Sequence, residues 1–114
     1  IHILVPCPLG WGSASGKTIE LARLAHETGL FPVFEAEYGE VTNVSKIRRK
    51  QPVEKYLMLQ KRFAHLFGKK GTPEVVERMQ ALADRNIARY GMLEGETGDE
   101  IPVPEQGDER HHVV

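Results

Sequence analysis

The chain has 114 residues, with 15 Lys or Arg against 16 Asp or Glu, and its formal net charge is −1. Proteins that bind nucleic acid usually carry a strong basic excess, so this balance argues against that class. No apolar run approaches the roughly 20 residues that span a bilayer, and the one cysteine excludes an internal disulfide, so we expect a cytoplasmic protein without nucleic-acid or membrane partners.

The first part of the chain predicts a strand, a helix and a second strand. Residues 1–5 (IHILV) are short and mostly apolar and are followed by Pro6, as in a buried strand. Residues 17–28 have the apolar spacing of a helix, and Gly29 follows at the position that favours a left-handed residue. Residues 30–37 predict the second strand. Elements in this order form a βαβ unit, whose two strands are parallel.

The second part of the chain predicts mainly helices. A short strand over residues 41–47 precedes two amphipathic helices, one from about residue 52 to Gly68 and one from about residue 72 to Tyr90. Residues 93–114 are polar and acidic without periodicity, which is typical of an extended tail that only a partner orders. Two or three parallel strands leave sheet edges unsatisfied, so we expect strands from another segment and an isolated chain that is incomplete as a domain.

The stretch GWGSASGKT, Gly10 to Thr18, has the outline of a phosphate-binding P-loop. That motif has the spacing GxxxxGK(S/T), in which a loop of fixed length wraps a phosphate. Trp11 stands where the first glycine is required, five positions before Gly16, and its indole would crowd the tight turn. The stretch is a near miss, and a degenerate P-loop nucleotide binder remains an alternative that a substitution of Lys17 would test.

Cys7 lies between Pro6 and Pro8, directly after the predicted first strand. The two prolines stiffen the loop, and α/β proteins place ligands at such strand ends. From the residues alone, a small buried hydrophobe is the simpler interpretation of a lone cysteine. Iron–sulfur clusters generally take four cysteines, so a functional Cys7 requires partners on another segment. Trp11 either covers a cofactor or anchors the loop by packing.

Three blocks in the same order, PCPLGWG, KTIELARLAHETGLFPVFEAEYG and RRKQPVEKYLMLQKRFAHL, give the chain a resemblance to a known family. They resemble the C-terminal part of the β subunit of pyruvate:ferredoxin oxidoreductase and related 2-oxoacid:acceptor oxidoreductases. The resemblance covers residues 1–67. It implies an α/β fold: residues 1–50 as the βαβ remnant of a parallel, thiamine-diphosphate-binding-type sheet, residues 51–92 as a helical extension and residues 93–114 as the extended tail.

The resemblance also implies one site residue. In that family the β subunit binds thiamine diphosphate with Mg²⁺ and a four-iron four-sulfur cluster, whose last ligand lies in a Pro-Cys-Pro-x-Gly-Trp segment. Cys7 matches that ligand, and Gly10 and Gly12 either let the backbone pass close to the cluster or only form turns. The chain lacks the upstream cysteines and the Gly-Asp-Gly signature of the thiamine site. We therefore expect Cys7 as the only cofactor and metal ligand, no catalytic residue, and an inactive isolated chain.

The activity implied by the resemblance is the oxidative decarboxylation of a 2-oxoacid, with pyruvate as the expected substrate. Coenzyme A takes the acyl group, and clusters pass electrons to ferredoxin or a similar acceptor. The implied partners are the rest of the β subunit and the other oxidoreductase subunits. A second hypothesis is a non-catalytic assembly module, in which the helices over residues 52–90 dock neighbouring subunits and Cys7 is inert.

Overall fold

A computed structural model of the protein describes residues 1–95 and 98. In chain order its helices and strands are α1 (Pro8–Trp11), α2 (Thr18–Glu27), β1 (Phe34–Glu37), β2 (Glu40–Val44), α3 (Val53–Met58) and α4 (Pro73–Tyr90). Two 3₁₀ helices lie at Ser15–Lys17 and Lys61–Leu66. No helix in this described part is long and apolar enough to cross a membrane. Most of the predicted tail, residues 96–97 and 99–114, lies outside the described residues.

The core lies between α2, α3 and α4. Each helix turns a stripe of apolar side chains inward, as the sequence spacing of the helices predicts. The most deeply buried members of this cluster are Leu21, Ala25, Val53, Leu57 and Ala83. A second, smaller cluster joins Ile47 and Met92 to the end of α4. The amide of Ile47 donates a hydrogen bond to the carbonyl of Met92 at 2.7 Å, so the segment after β2 is fastened to the end of α4.

The helix predicted over residues 17–28 is confirmed as α2, and Gly29 takes the predicted left-handed conformation with φ +86°. This glycine is also the point at which the end of α2 touches α4. A Cβ on Gly29 would lie 2.6 Å from Cγ1 of Ile87 and 2.8 Å from the carbonyl oxygen of Ala83. Asn86 donates a side-chain hydrogen bond to the Gly29 carbonyl at 3.0 Å. A side chain at this position would push the two helices apart.

The strand predicted over residues 1–5 is not formed. Among the described residues the sheet consists of β1 and β2 alone, so no neighbouring strand pairs with the backbone of this segment. Leu4 packs against the core and the His2 ring meets the Phe31 ring edge-on at 5.1 Å, whereas Ile1 and Ile3 are exposed. A strand is held by its partner's hydrogen bonds, and the apolar sequence alone does not supply them.

The parallel βαβ arrangement is not confirmed, because residues 1–5, its predicted first strand, pair with no strand among the described residues. Instead β1 and β2 form an antiparallel hairpin. Phe34 pairs with Val44 at the open end, and the turn at the closed end is Tyr38-Gly39, with φ of +51° and +82°. Two left-handed residues make the tight turn that joins adjacent antiparallel strands, whereas parallel strands need a long crossover. The described residues are therefore an α/β structure with a two-stranded antiparallel sheet.

The helix predicted from residue 52 to Gly68 is broken at Gln60. The backbone of Gln60 is extended (φ −125°, ψ 120°), which ends α3 before the 3₁₀ helix begins. Its side chain is buried, and its amide group donates to the carbonyl oxygen of Tyr56 at 2.8 Å. A buried side-chain amide thus satisfies an orphan carbonyl at the end of α3. The last predicted helix is confirmed as α4, which ends at the left-handed Gly91.

An ion pair at Asp84 fastens the segment before α3 to α4. Lys50 Nζ lies 2.8 Å from Asp84 Oδ1, and Gln80 donates to the same oxygen at 3.0 Å while its carbonyl oxygen accepts the amide of Val53. The hydrogen bond from Lys50 is the largest cause that lowers the pKa of Asp84 below its ordinary value of 3.8. The folded state therefore favours the ionised carboxylate.

Replacing Asp84 with asparagine should lower the free energy of unfolding at neutral pH by less than about 1 kcal/mol, because both partners are half-exposed. A lowered folded-state pKa contributes stability that is fully present above the unfolded pKa and is lost as the pH falls through the folded pKa. Urea unfolding of the unsubstituted protein and of Asp84→Asn at several pH values should show a difference in the free energy of unfolding that shrinks in acid. A difference that grows in acid would contradict this role for Asp84.

Candidate functional site

Cys7 lies at the start of α1, on the surface of the described structure. Its backbone is extended, and its carbonyl oxygen accepts a hydrogen bond from the amide of Trp11 at 2.9 Å, which closes the single turn of α1. The thiol is free and exposed. Within the described residues the thiol is not buried, and it can reach a group outside them.

The glycines of the loop have different surroundings. A Cβ on Gly10 would lie 3.6 Å from Cys7 Sγ, which is an ordinary van der Waals contact. Gly12 is left-handed (φ +64°) and ends α1, and its amide donates to the carbonyl of Pro8. A Cβ on Gly12 would lie 2.6 Å from Cβ of Lys61. Turn formation and close packing against Lys61 therefore account for Gly12 without any ligand.

Trp11 anchors the loop to the helical core. Its ring is half-buried and meets the Tyr56 ring edge-on, with the centroids 6.5 Å apart. Tyr56 in turn belongs to the buried cluster between α2, α3 and α4. Trp11 was expected either to cover a cofactor or to anchor the loop by packing. Its contacts with other described residues support the packing role. Tyr56 is a part of the site that the sequence did not single out, because only the fold brings it to Trp11.

Metal ligands do not gather around Cys7 within the described part of the chain. No group of three or more His, Cys, Asp or Glu side chains in residues 1–95 and 98 is arranged to hold a metal ion. Since iron–sulfur clusters generally take four thiolates, a cluster bound at Cys7 needs three ligands from elsewhere.

The geometry gives no support to the P-loop alternative. Pro8–Trp11 and Ser15–Lys17 are two helical turns, whereas a P-loop is a wrapped cradle of backbone amides. The Lys17 ammonium, which would have to reach the phosphates, lies 2.9 Å from Glu20 Oε2. The loop around Cys7, residues 6–13, is called the cysteine loop below. The glycine-rich stretch is therefore the end of this loop together with the approach to α2.

Replacing Lys17 with alanine should change the free energy of unfolding by less than about 0.5 kcal/mol, the scale of an exposed helical ion pair. It should leave the activity of the protein unchanged. Isothermal titration with ATP and Mg²⁺ should show no binding to either protein. ATP binding to the unsubstituted protein that disappears in Lys17→Ala would restore the P-loop interpretation.

Relatives of this chain are found among known protein sequences. No family model matches the chain. It is 50% identical over 90 residues to the pyruvate synthase subunit PorB of Methanosarcina barkeri, and the match covers 79% of this chain and 30% of that protein. The PorB subunit of Methanocaldococcus jannaschii is 44% identical over 92 residues.

The chain is homologous to a segment of PorB. The resemblance that the three sequence blocks indicated is therefore confirmed. The PorB-related chain spans only about 30% of the length of these relatives. A further relative is the ketoisovalerate oxidoreductase subunit VorB of Pyrococcus abyssi, at 39% identity over 82 residues, covering 70% of this chain and 25% of that protein. The relatives thus include subunits named for two different 2-oxoacids.

Proposed function

We propose that the PorB-related chain is part of a 2-oxoacid:ferredoxin oxidoreductase complex that converts pyruvate to acetyl-coenzyme A, and that Cys7 supplies one ligand to a four-iron four-sulfur cluster. The identity of 50% to a pyruvate synthase subunit is the observation that carries this proposal. A second pyruvate synthase subunit, at 44% identity, also supports pyruvate as the substrate. The activity belongs to the assembled complex.

The surroundings of Cys7 are compatible with a cluster ligand. The thiol is exposed, and prolines on both sides limit the conformations of its loop. Gly10 leaves the side of the thiol uncrowded. When bound, the cluster would accept and pass on electrons one at a time. In this chain Cys7 would hold one iron, and three further ligands would come from outside the described residues.

The other cofactors fall to other segments. The chain contains no Gly-Asp-Gly sequence, and none of its described residues is assigned to thiamine diphosphate, Mg²⁺ or coenzyme A. Its contribution to the chemistry is to place the cluster ligand, which agrees with the general role of the protein around such cofactors. We therefore propose that the isolated chain has no catalytic activity.

The exposed apolar residues support a tight association with further protein. Ile1, Ile3 and Val5 precede the cysteine loop in the sequence, Leu9 lies within it, and all four are exposed. Exposed apolar side chains that lie together are typical of surfaces that another segment covers. We place the remainder of the β subunit on this surface, where residues 1–5 would gain the strand partner that they lack here.

The assembly module remains a second candidate because the helices also expose apolar side chains. Ile19 on α2, Met58 on α3 and Leu82 on α4 are each more than two-fifths exposed. They suit contacts with neighbouring subunits whether or not Cys7 binds iron. A Cys7 substitution that leaves the iron content of the complex unchanged would favour this candidate.

Turnover of the purified native complex tests the proposed activity. Pyruvate should drive the reduction of methyl viologen under anaerobic conditions, and the reaction should require coenzyme A. 2-Oxoisovalerate serves as the matched substrate, and we expect slower reduction with it. Faster reduction with 2-oxoisovalerate would reassign the substrate, and a complex without any 2-oxoacid-dependent reduction would contradict the proposed activity.

A further inference from the structure

Arg62 has an unusual set of contacts beside the cysteine loop. Its Nε donates to Gln60 Oε1 at 2.6 Å, and its Cζ lies 4.1 Å from the centroid of the Trp11 ring and 4.6 Å from that of Phe63. A guanidinium over an indole face is the most favourable form of the cation–π contact. The planar group is thereby held between two aromatic rings and an amide oxygen.

Gln60 fixes the orientation of Arg62. The Gln60 side chain is almost completely buried, and both ends of its amide are used: the nitrogen donates to the Tyr56 carbonyl, and the oxygen accepts from Arg62. A buried amide with both ends bonded has little freedom to rotate. The position of the guanidinium over Trp11 is therefore set by the broken end of α3.

A second connection joins the same two segments through the backbone. The amide of Lys61 donates to the carbonyl of Gly12 at 3.0 Å. Within the loop, the Trp11 amide donates to Cys7 and the Ser13 amide donates to Pro8. The cysteine loop is thus closed on itself and attached to residues 60–62 on both its side-chain face and its backbone.

We propose that Arg62 is a positioning residue for Cys7, acting through Trp11: the guanidinium holds the indole, and the indole holds the turn whose first residue carries the thiol. This inference rests on the proposed function of Cys7 as a cluster ligand. It adds a residue outside the cysteine loop that sets the geometry of the ligand. Arg62 touches neither substrate nor cluster in this assignment.

The test compares Arg62→Ala, Arg62→Lys and Arg89→Ala in the complete complex. Arg89 is the matched control because its guanidinium also lies over a ring, at 5.6 Å from the Tyr90 centroid, but on α4. Three readouts are needed: hydrogen exchange of the peptide that contains residues 7–12, the midpoint potential of the cluster, and its EPR spectrum. Iron content is measured alongside them.

We expect Arg62→Ala to retain its iron, to shift the midpoint potential and the EPR spectrum, and to exchange the amide hydrogens of residues 7–12 about tenfold faster, the scale of one lost cation–π contact with its hydrogen bond. Arg62→Lys should not restore them, because an ammonium lacks the planar face and the Nε donor. Arg89→Ala should behave as the unsubstituted complex.

Two outcomes would overturn the positioning role, and they separate it from the proposed function. If Arg62→Ala leaves the hydrogen exchange, the midpoint potential and the EPR spectrum unchanged while Cys7→Ala loses iron, Arg62 has no positioning role and Cys7 is still the ligand. Unchanged iron in Cys7→Ala overturns both proposals together. A change in exchange without any change in potential or spectrum would reduce Arg62 to a purely structural contact and would also overturn the proposal.

Discussion

Replacing Gly29 with alanine should lower the local free energy of unfolding by about 2–4 kcal/mol, a large effect for a single added methyl group. Two costs add here. Gly29 has φ +86°, where an L side chain is strained. The new methyl group would also lie 2.6 Å from Ile87 and 2.8 Å from the backbone of Ala83, so α2 and α4 would have to separate.

Gly39 provides the matched control for this prediction. It has a similar φ of +82°, but a Cβ there would meet nothing within 4 Å. Gly39→Ala should therefore cost only the backbone term, about 1–2 kcal/mol. Hydrogen exchange of the peptides from α2 and α4 in the assembled protein measures the difference. Equal effects of the two substitutions would show that the close approach of α4 to Gly29 adds nothing to the cost of the backbone strain.

Replacing Cys7 with alanine should lower pyruvate-dependent reduction of methyl viologen by about 100-fold or more. Loss of a group that only supports a metal ligand already costs about 10- to 100-fold, and the ligand itself should cost at least the upper value. The substitution should leave the fold intact, because the thiol is exposed.

Lys17→Ala is the matched control for Cys7→Ala. It changes a half-exposed side chain of the same glycine-rich stretch, which pairs with Glu20. Turnover in this variant should remain that of the unsubstituted complex. If Cys7→Ala and Lys17→Ala retained equal turnover, the thiol would have no part in electron transfer.

The helices could be predicted from the sequence because their signals are local. The apolar spacing of α2 and α4 and the glycines that follow them lie within each helix, and both helices end close to the predicted residues. The break at Gln60 could not be predicted in this way. It depends on a side chain that bonds back to Tyr56 in place of the next helical turn.

The sheet was predicted less well because strand pairing is not local. Residues 1–5 have the composition of a buried strand, but composition does not supply the neighbouring strand that would make them one. The Tyr38-Gly39 turn was the signal that pointed to a hairpin, since both residues take left-handed conformations in the structure. The parallel βαβ prediction is not confirmed because residues 1–5 have no strand partner among the described residues.

The candidate site likewise has one part that the sequence indicates and another that only the fold shows. Cys7 was singled out by a resemblance between ordered sequence blocks, and its role as a ligand stays a prediction. The contacts of Trp11 with Tyr56 and Arg62 could not be predicted, because the residues lie far apart in the sequence and meet only when α3 and the 3₁₀ helix fold against the cysteine loop. Tertiary packing brings them together.

The most direct test of the central claim is low-temperature EPR, with iron and sulfide analysis, on the anaerobically isolated complex with and without Cys7→Ala. We predict that the substituted complex loses or visibly perturbs the signal of one reduced four-iron cluster, with a matching loss of iron. Unchanged iron, sulfide and spectra would contradict the assignment of Cys7 as a ligand and would favour a role in assembly alone for this PorB-related chain.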